Sequence, residues 1–386
     1  MARPAPVARG GHGAERRRLI AVLAGLAAVA VLAAVSVLLY RTLRRGAPVA
    51  RPHPLLVGVD DDTLKWTAHP LTVVRRERSL GAAAVRVWVP WDGSATPGPI
   101  RRVELARAAQ AARHTQVVLA VFGLGPESPT TAAAQDRFCG YARAALSLVP
   151  HARAVVVWNE ANSRTYWRGT PAGYERLLAR CYDVLHAARP GIAVLDSTAS
   201  AHAPGAFLRT VGSAYRASGR PRPRVDAFGH NPYPRTSAEP PDAVHAPGFI
   251  GEGDYARFAA VLAEAFGGTA QRSRDVWYLE DGYQTVTPPR VLGAYTGRET
   301  VPTVPPRVQA RRLGEAILLA ACQPDVKAFF NFELVDETRL AGWQSGLFWR
   351  GAERKPAAGA FAAATRAIRT GRIACGAQAG APAARP

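Results

Sequence analysis

The run Ala154-Val155-Val156-Val157 passes without a break into Trp158-Asn159-Glu160-Ala161-Asn162. A short, β-branched, unpatterned apolar run suits a strand buried on both faces, and such strands occur mainly in parallel sheets covered by helices. An amide and a carboxylate at the end of that strand are costly to bury, so they serve either an ion pair or chemistry. The design recurs at Val276-Trp277-Tyr278-Leu279-Glu280-Asp281-Gly282, where a second apolar strand delivers Glu280. Two strand-terminal glutamates in one chain favour chemistry.

Six more strands are expected: 55–59, 83–89, 116–122, 192–195, 225–229 and 327–332, alongside 154–158 and 276–279. Helical stretches fill most of the gaps, at 100–114, 131–148, 171–188, 206–217, 255–266, 307–322 and 357–370. Thr170-Pro171 reads as an N-cap followed by proline in the first turn, and Ser128, Thr130 or Thr131 would cap the helix before it. Eight strands alternating with helices predict an α/β chain folded as one (β/α)8 TIM barrel, with a doubly wound sheet as the fallback. The fallback is weaker because polar residues end many strands instead of clustering at one switch point. In a barrel the strand C-termini converge on one face, so Glu160 and Glu280 would share a cleft. No Gly-rich phosphate loop, GxSxG elbow or HExxH motif is present, so no cofactor and no metal are expected.

Ahead of the barrel, Leu19 to Tyr40 is free of charge and long enough to span a bilayer. It follows Arg16-Arg17-Arg18 and precedes Arg41, Arg44 and Arg45. A cleaved signal peptide is the competing reading, but the apolar core exceeds the usual length, so an uncleaved signal anchor is preferred. The expected layout is a basic disordered cytoplasmic tail at 1–18, a transmembrane helix at 19–40, a linker at 41–54, the catalytic barrel at 55–375 and a disordered tail at 376–386. The formal charge of +20 raises the question of nucleic acid. However, residues 1–51 hold nine arginines and one glutamate, and the remaining excess is scattered without a basic block, so nucleic acid is not an expected partner. Lysine occurs only at 65, 327 and 355. The four cysteines have no metal-type spacing. Disulfides Cys139–Cys181 and Cys322–Cys375 would use all four and place the barrel outside the cytoplasm, at the cell membrane; the alternative is four buried thiols.

Two carboxylates across one cleft suit glycoside hydrolysis, one donating a proton and the other attacking the anomeric carbon. With Asn159-Glu160 ending the fourth strand and Glu280 the seventh, the chain resembles the retaining glycoside hydrolases of clan A, the 4/7 superfamily, over roughly residues 55–370, with family 5- and 39-like barrels as the nearest type. The resemblance implies that Glu160 is the general acid/base, Glu280 the nucleophile and Asn159 a ligand of the sugar 2-hydroxyl. It implies that Arg86 pairs with the nucleophile and that Tyr233 sits beside it. The stretch His230-Asn231-Pro232-Tyr233-Pro234 is similar to the clan's strand-six motif with one extra Asn, so either His230 or Asn231 takes the histidine's place. Phe329 to Asp336, Gly342 to Leu347 and Lys355-Pro356 also resemble the clan.

Trp343 is a candidate sugar platform and Trp88 a second, since aromatic faces pack against pyranose C–H groups. Trp91 and Trp167 also lie near strand ends; each tryptophan alone is more often core. Asp60-Asp61-Asp62 reads as a solvated turn or as hydroxyl ligands. The expected activity is retaining hydrolysis of β-linked O-glycosidic bonds in a poly- or oligosaccharide. The alternatives are a non-catalytic glycan-binding or envelope-scaffold barrel, or a transglycosidase.

Overall fold

The computed structural model describes residues 52–375. The expected cytoplasmic tail, the transmembrane helix, all of the linker but its last three residues, and the C-terminal tail lie outside them. Among the described residues no helix is long and apolar enough to cross a membrane.

Eight parallel strands alternate with helices in chain order: β1 (Leu56–Asp60), α1 (Thr63–Trp66), α2 (Pro70–Ser79), β2 (Ala84–Pro90), α3 (Pro99–Ala111), β3 (Gln116–Phe122), α4 (Ala132–Leu148), β4 (Ala152–Val157), α5 (Pro171–Ala188), β5 (Ala193–Asp196), α6 (Pro204–Ala217), β6 (Phe228–Asn231), α7 (Tyr255–Phe266), β7 (Val276–Asp281), α8 (Pro306–Ala320), β8 (Val326–Phe332) and α9 (Pro356–Arg369). The sheet runs β5-β4-β3-β2-β1-β8-β7-β6. It closes through a two-residue extension of β5, Ala199–Ser200, which pairs with His230 and Asn231, and through a bridge from Leu195 to Ala227. This is the expected (β/α)8 barrel. Its strands are buried nearly throughout, which is why they read as continuous apolar runs and not as alternation.

Proline marks where the helices begin: α2, α3, α5, α6, α8 and α9 each start on one, where its missing N–H costs nothing. Thr170 caps α5 by accepting from the Gly173 amide (3.0 Å), and Thr131 caps α4 by accepting from Ala134 (3.2 Å). Three elements differ from expectation, the single-turn α1 among them. Helix α2 was not anticipated between the first two strands, because its charged run Arg75-Arg76-Glu77-Arg78 masks a short buried face of Val73, Val74 and Glu77. Strand β6 begins three residues later than expected, which brings His230 and Asn231 into the strand itself.

Both expected disulfides are formed. Cys139–Cys181 ties α4 to α5, and Cys322–Cys375 ties the segment after α8 to the chain beyond α9. At the N-terminal face of the barrel, the His53 amide donates to Ala321 (3.1 Å) and its ring bonds the Gln323 carbonyl (2.7 Å). The first and last described segments therefore meet on the floor, opposite the C-terminal ends of the strands.

Candidate active site

Strand β4 stops at Val157, and the chain turns sharply to present the next residues over the barrel mouth. Trp158 (φ 70°) and Glu160 (φ 37°) both occupy the left-handed region, which is strained for side chains of this kind. Neighbouring strands hold the turn: the Trp158 amide donates to Val121 (2.9 Å) and the Ala161 amide to Ser197 (3.0 Å). The Trp158 ring is fully buried against Trp91, Phe138 and Trp167. Trp91 and Trp167 are thus core residues that anchor the turn.

Across the mouth, Glu280 lies one residue before the end of β7, with one oxygen accepting from Arg86 Nη1 (2.8 Å) and the other from the Tyr233 hydroxyl (3.3 Å). Arg86 is fully buried and divides its guanidinium between three partners: Glu280, the Asp60 carboxylate and Asn159 Oδ1 (3.1 Å). Asp60 and Arg86 are register partners on β1 and β2, so their side chains emerge side by side. Asn159 Oδ1 also accepts from the Ser197 hydroxyl (3.2 Å). The Trp88 indole donates to Asp60 (3.1 Å), while Asp61 binds Thr63 and Asp62 pairs with Lys65 (2.8 Å). The acidic triplet is neither a solvated turn nor a set of cleft ligands: Asp60 and Asp61 are buried, and the triplet braces the rim from behind.

Glu160 accepts from Asn231 Nδ2 (3.0 Å). Burial pushes its carboxyl up to about 7, with the negative charge of Glu280 adding to the effect; the Asn231 hydrogen bond and the Arg86 charge oppose it. Asn231, not His230, faces the acid/base candidate. Successive residues of a strand point to opposite faces, and His230 turns outward, stacked on Phe258 (4.4 Å between centroids) with Nε2 at the Ile250 carbonyl (3.0 Å). His230 is therefore corrected from cleft ligand to wall residue.

A cavity of about 650 Å³ lies between the glutamates, with Trp88, Tyr166, Tyr233 and Trp343 around them. The Trp343 ring packs against Tyr233 (4.8 Å) and edge-on to Phe332 (5.4 Å). Burial, reinforced by the Glu280 charge, raises the Tyr166 and Tyr233 hydroxyls well above their ordinary range, so both remain protonated donors. Trp343 arrives on the long connection from β8 to α9, which Asp336 fixes by accepting from Lys355 Nζ (2.6 Å), Tyr295 (2.8 Å) and the Gly346 amide (2.9 Å). Sequence reasoning missed Tyr166, Ser197 and Glu337, another residue lining the cavity. All three sit in irregular connections where no periodicity marks them. Asp60 was legible only as a strand end, and its partner became visible through strand register. Among the described residues, no cluster of three His, Cys, Asp or Glu side chains is placed to hold a metal ion.

No family model matches the sequence, and no curated protein matches it. Solved structures do match. A family 39 glycoside hydrolase from Bacteroides cellulosilyticus WH2 is 16% identical at a TM-score of 0.59; the match covers 81% of this chain but 63% of that one. GH5_18 from Streptomyces cattleya, in complex with GlcNAc, is 17% identical at 0.57, covering 83% of this chain and 81% of that one. A glucosidase from Croceicoccus marinus is 13% identical at 0.58, covering 84% and 69%. The chain shares the barrel fold of these glycoside hydrolases. At such identities the likeness is one of fold, and the chemistry rests on the residues just described.

Proposed function

We propose that this barrel is a retaining glycoside hydrolase acting on β-linked sugars. The observation that carries the proposal is the contrast between its two strand-terminal carboxylates. Glu280 lies against a buried cation and a phenolic donor, whereas Glu160 is held protonated up to about pH 7. A glycosidase needs this division of labour. In the first step a Glu280 oxygen attacks the anomeric carbon while Glu160 gives its proton to the departing glycosidic oxygen. In the second, Glu160 takes a proton from water, whose oxygen attacks the same carbon and releases Glu280. Arg86 offsets the charge on Glu280, Asn159 is assigned the sugar 2-hydroxyl, and Trp343 offers a flat face.

Two disulfides support an oxidising location, and the apolar segment at 19–40 supports attachment to the cell membrane with the barrel outside the cytoplasm. The purified protein is to be incubated with activated 2-deoxy-2-fluoro glycosides and weighed intact. One added glycosyl mass, mapped to the peptide containing Glu280, is the expected result; a folded protein with no adduct across the panel would remove the assignment.

A further inference from the structure

The cavity's charge is opposite to that of the chain. The protein carries a formal +20, yet the cavity is lined by the carboxyl groups of Glu280, Glu337 and the proton-bearing Glu160, and by no lysine or arginine. The only lining residue that can become cationic is His202, at the exposed rim. Behind the lining the imbalance continues. Glu333 is largely buried with Oε2 unpartnered, and Arg86 is already shared among Asp60, Glu280 and Asn159. Two other buried cations are also taken, Lys355 by Asp336 and Lys65 by Asp62. Arg339 lies near Glu337 but outside the lining.

Glu337 has no part in the proposed proton transfers, yet its position is tightly set. Its amide donates to the Trp343 carbonyl (2.9 Å). A Cβ added at Gly342 would lie 1.8 Å from Glu337 Oε2, so the glycine is what lets the carboxylate lie across that turn. The turn that presents the Trp343 ring thus also presents an acceptor. A carboxylate beside an aromatic face suits a sugar hydroxyl, a donor, and repels an anionic substituent, which would meet like charge with no lysine or arginine in the lining to pair it.

We infer that the sugar held between Glu160 and Glu280 carries no anionic substituent, neither carboxylate, sulfate nor phosphate, and that Glu337 is the specificity-determining residue that accepts from one of its hydroxyls. This rests on the glycosidase reading for the identity of the cavity, but it is tested by binding alone. Saturation-transfer NMR on the full-length protein would compare methyl β-glucoside, galactoside and mannoside with the matching methyl uronides. Wild type is expected to bind at least one neutral member about tenfold more tightly than its uronide counterpart. Glu337→Gln should weaken the neutral ligand several-fold and leave the uronide unmoved, and Glu337→Lys should invert the preference. Should Glu337→Lys fail to fold, the wild-type ratio and Glu337→Gln still decide.

Equal or tighter binding of a uronide, no binding in either series, or neutral affinity indifferent to Glu337→Gln would each overturn the inference. Neutral selectivity without any Glu280 adduct would instead defeat the hydrolase reading and leave this one standing.

Discussion

At the scale of single residues, the site works by setting two like side chains in unlike surroundings. Because Glu160 must carry its proton to act as acid and releases it near pH 7, kcat/KM is expected to fall about tenfold per pH unit above that point. A pH–rate profile flat from 6 to 9 would remove Glu160 from the role. Glu160→Ala should lose orders of magnitude with alkyl glycosides but retain much more turnover with a dinitrophenyl leaving group, which needs no protonation. Equal loss on both substrates would contradict acid catalysis. Arg86→Met would leave Asp60 and Glu280 facing each other in a buried site without a cation. The cost is expected near 3–5 kcal/mol of stability, read from denaturant unfolding. These charged positions were legible because charge at the end of an apolar strand is conspicuous. Glu337 and Tyr166 were not, since a polar residue in a loop looks like any other.

At the scale of elements, helices must approach closely enough to seal the barrel, and some contacts allow no extra atom. Gly212 on α6 faces the Ala265 carbonyl of α7, where an added Cβ would sit 2.2 Å from the oxygen. Gly212→Ala should therefore destabilise by roughly 1–3 kcal/mol despite its better helix propensity. A melting temperature at or above wild type would show that the two helices can separate. The Cys139–Cys181 bridge closes a loop of 42 residues between α4 and α5. Replacing both cysteines with alanine is expected to cost about 4 kcal/mol on a chain-entropy basis, measured by urea unfolding.

Element types were readable where apolar runs and Thr-Pro starts coincide, as at β4 and α5. They failed at α2, where arginines fill the exposed face and leave Leu71, Val73 and Val74 as a short apolar signal. They slipped at β6, where the residues entering the strand are Gly229, His230 and Asn231, none a typical strand former. That slip decided which side chain faces Glu160, because one position along a strand exchanges the two faces.

For the whole molecule, buried carboxyls outside the cleft tie stability to pH. Asp281 follows Glu280 on β7, is fully buried with Oδ2 unpartnered, and has its carboxyl pushed up to about 8 by burial. In the unfolded chain the same group releases its proton near pH 4. The folded state therefore binds the extra proton, and its stability from this site is present at low pH and declines as pH rises from about 4 to about 8. Asp281→Asn should flatten the fall in melting temperature between pH 6 and 8; an unchanged slope would assign the effect to another group.

The meeting of His53, Ala321 and the Cys322–Cys375 bridge on the barrel floor has a practical side. Either end of the barrel can carry a bead, a chip or a fused reporter on the surface remote from the mouth. An immobilised preparation should thus keep its KM for soluble substrate whichever end is tethered, and both attachments should leave the reacting face turned toward the liquid.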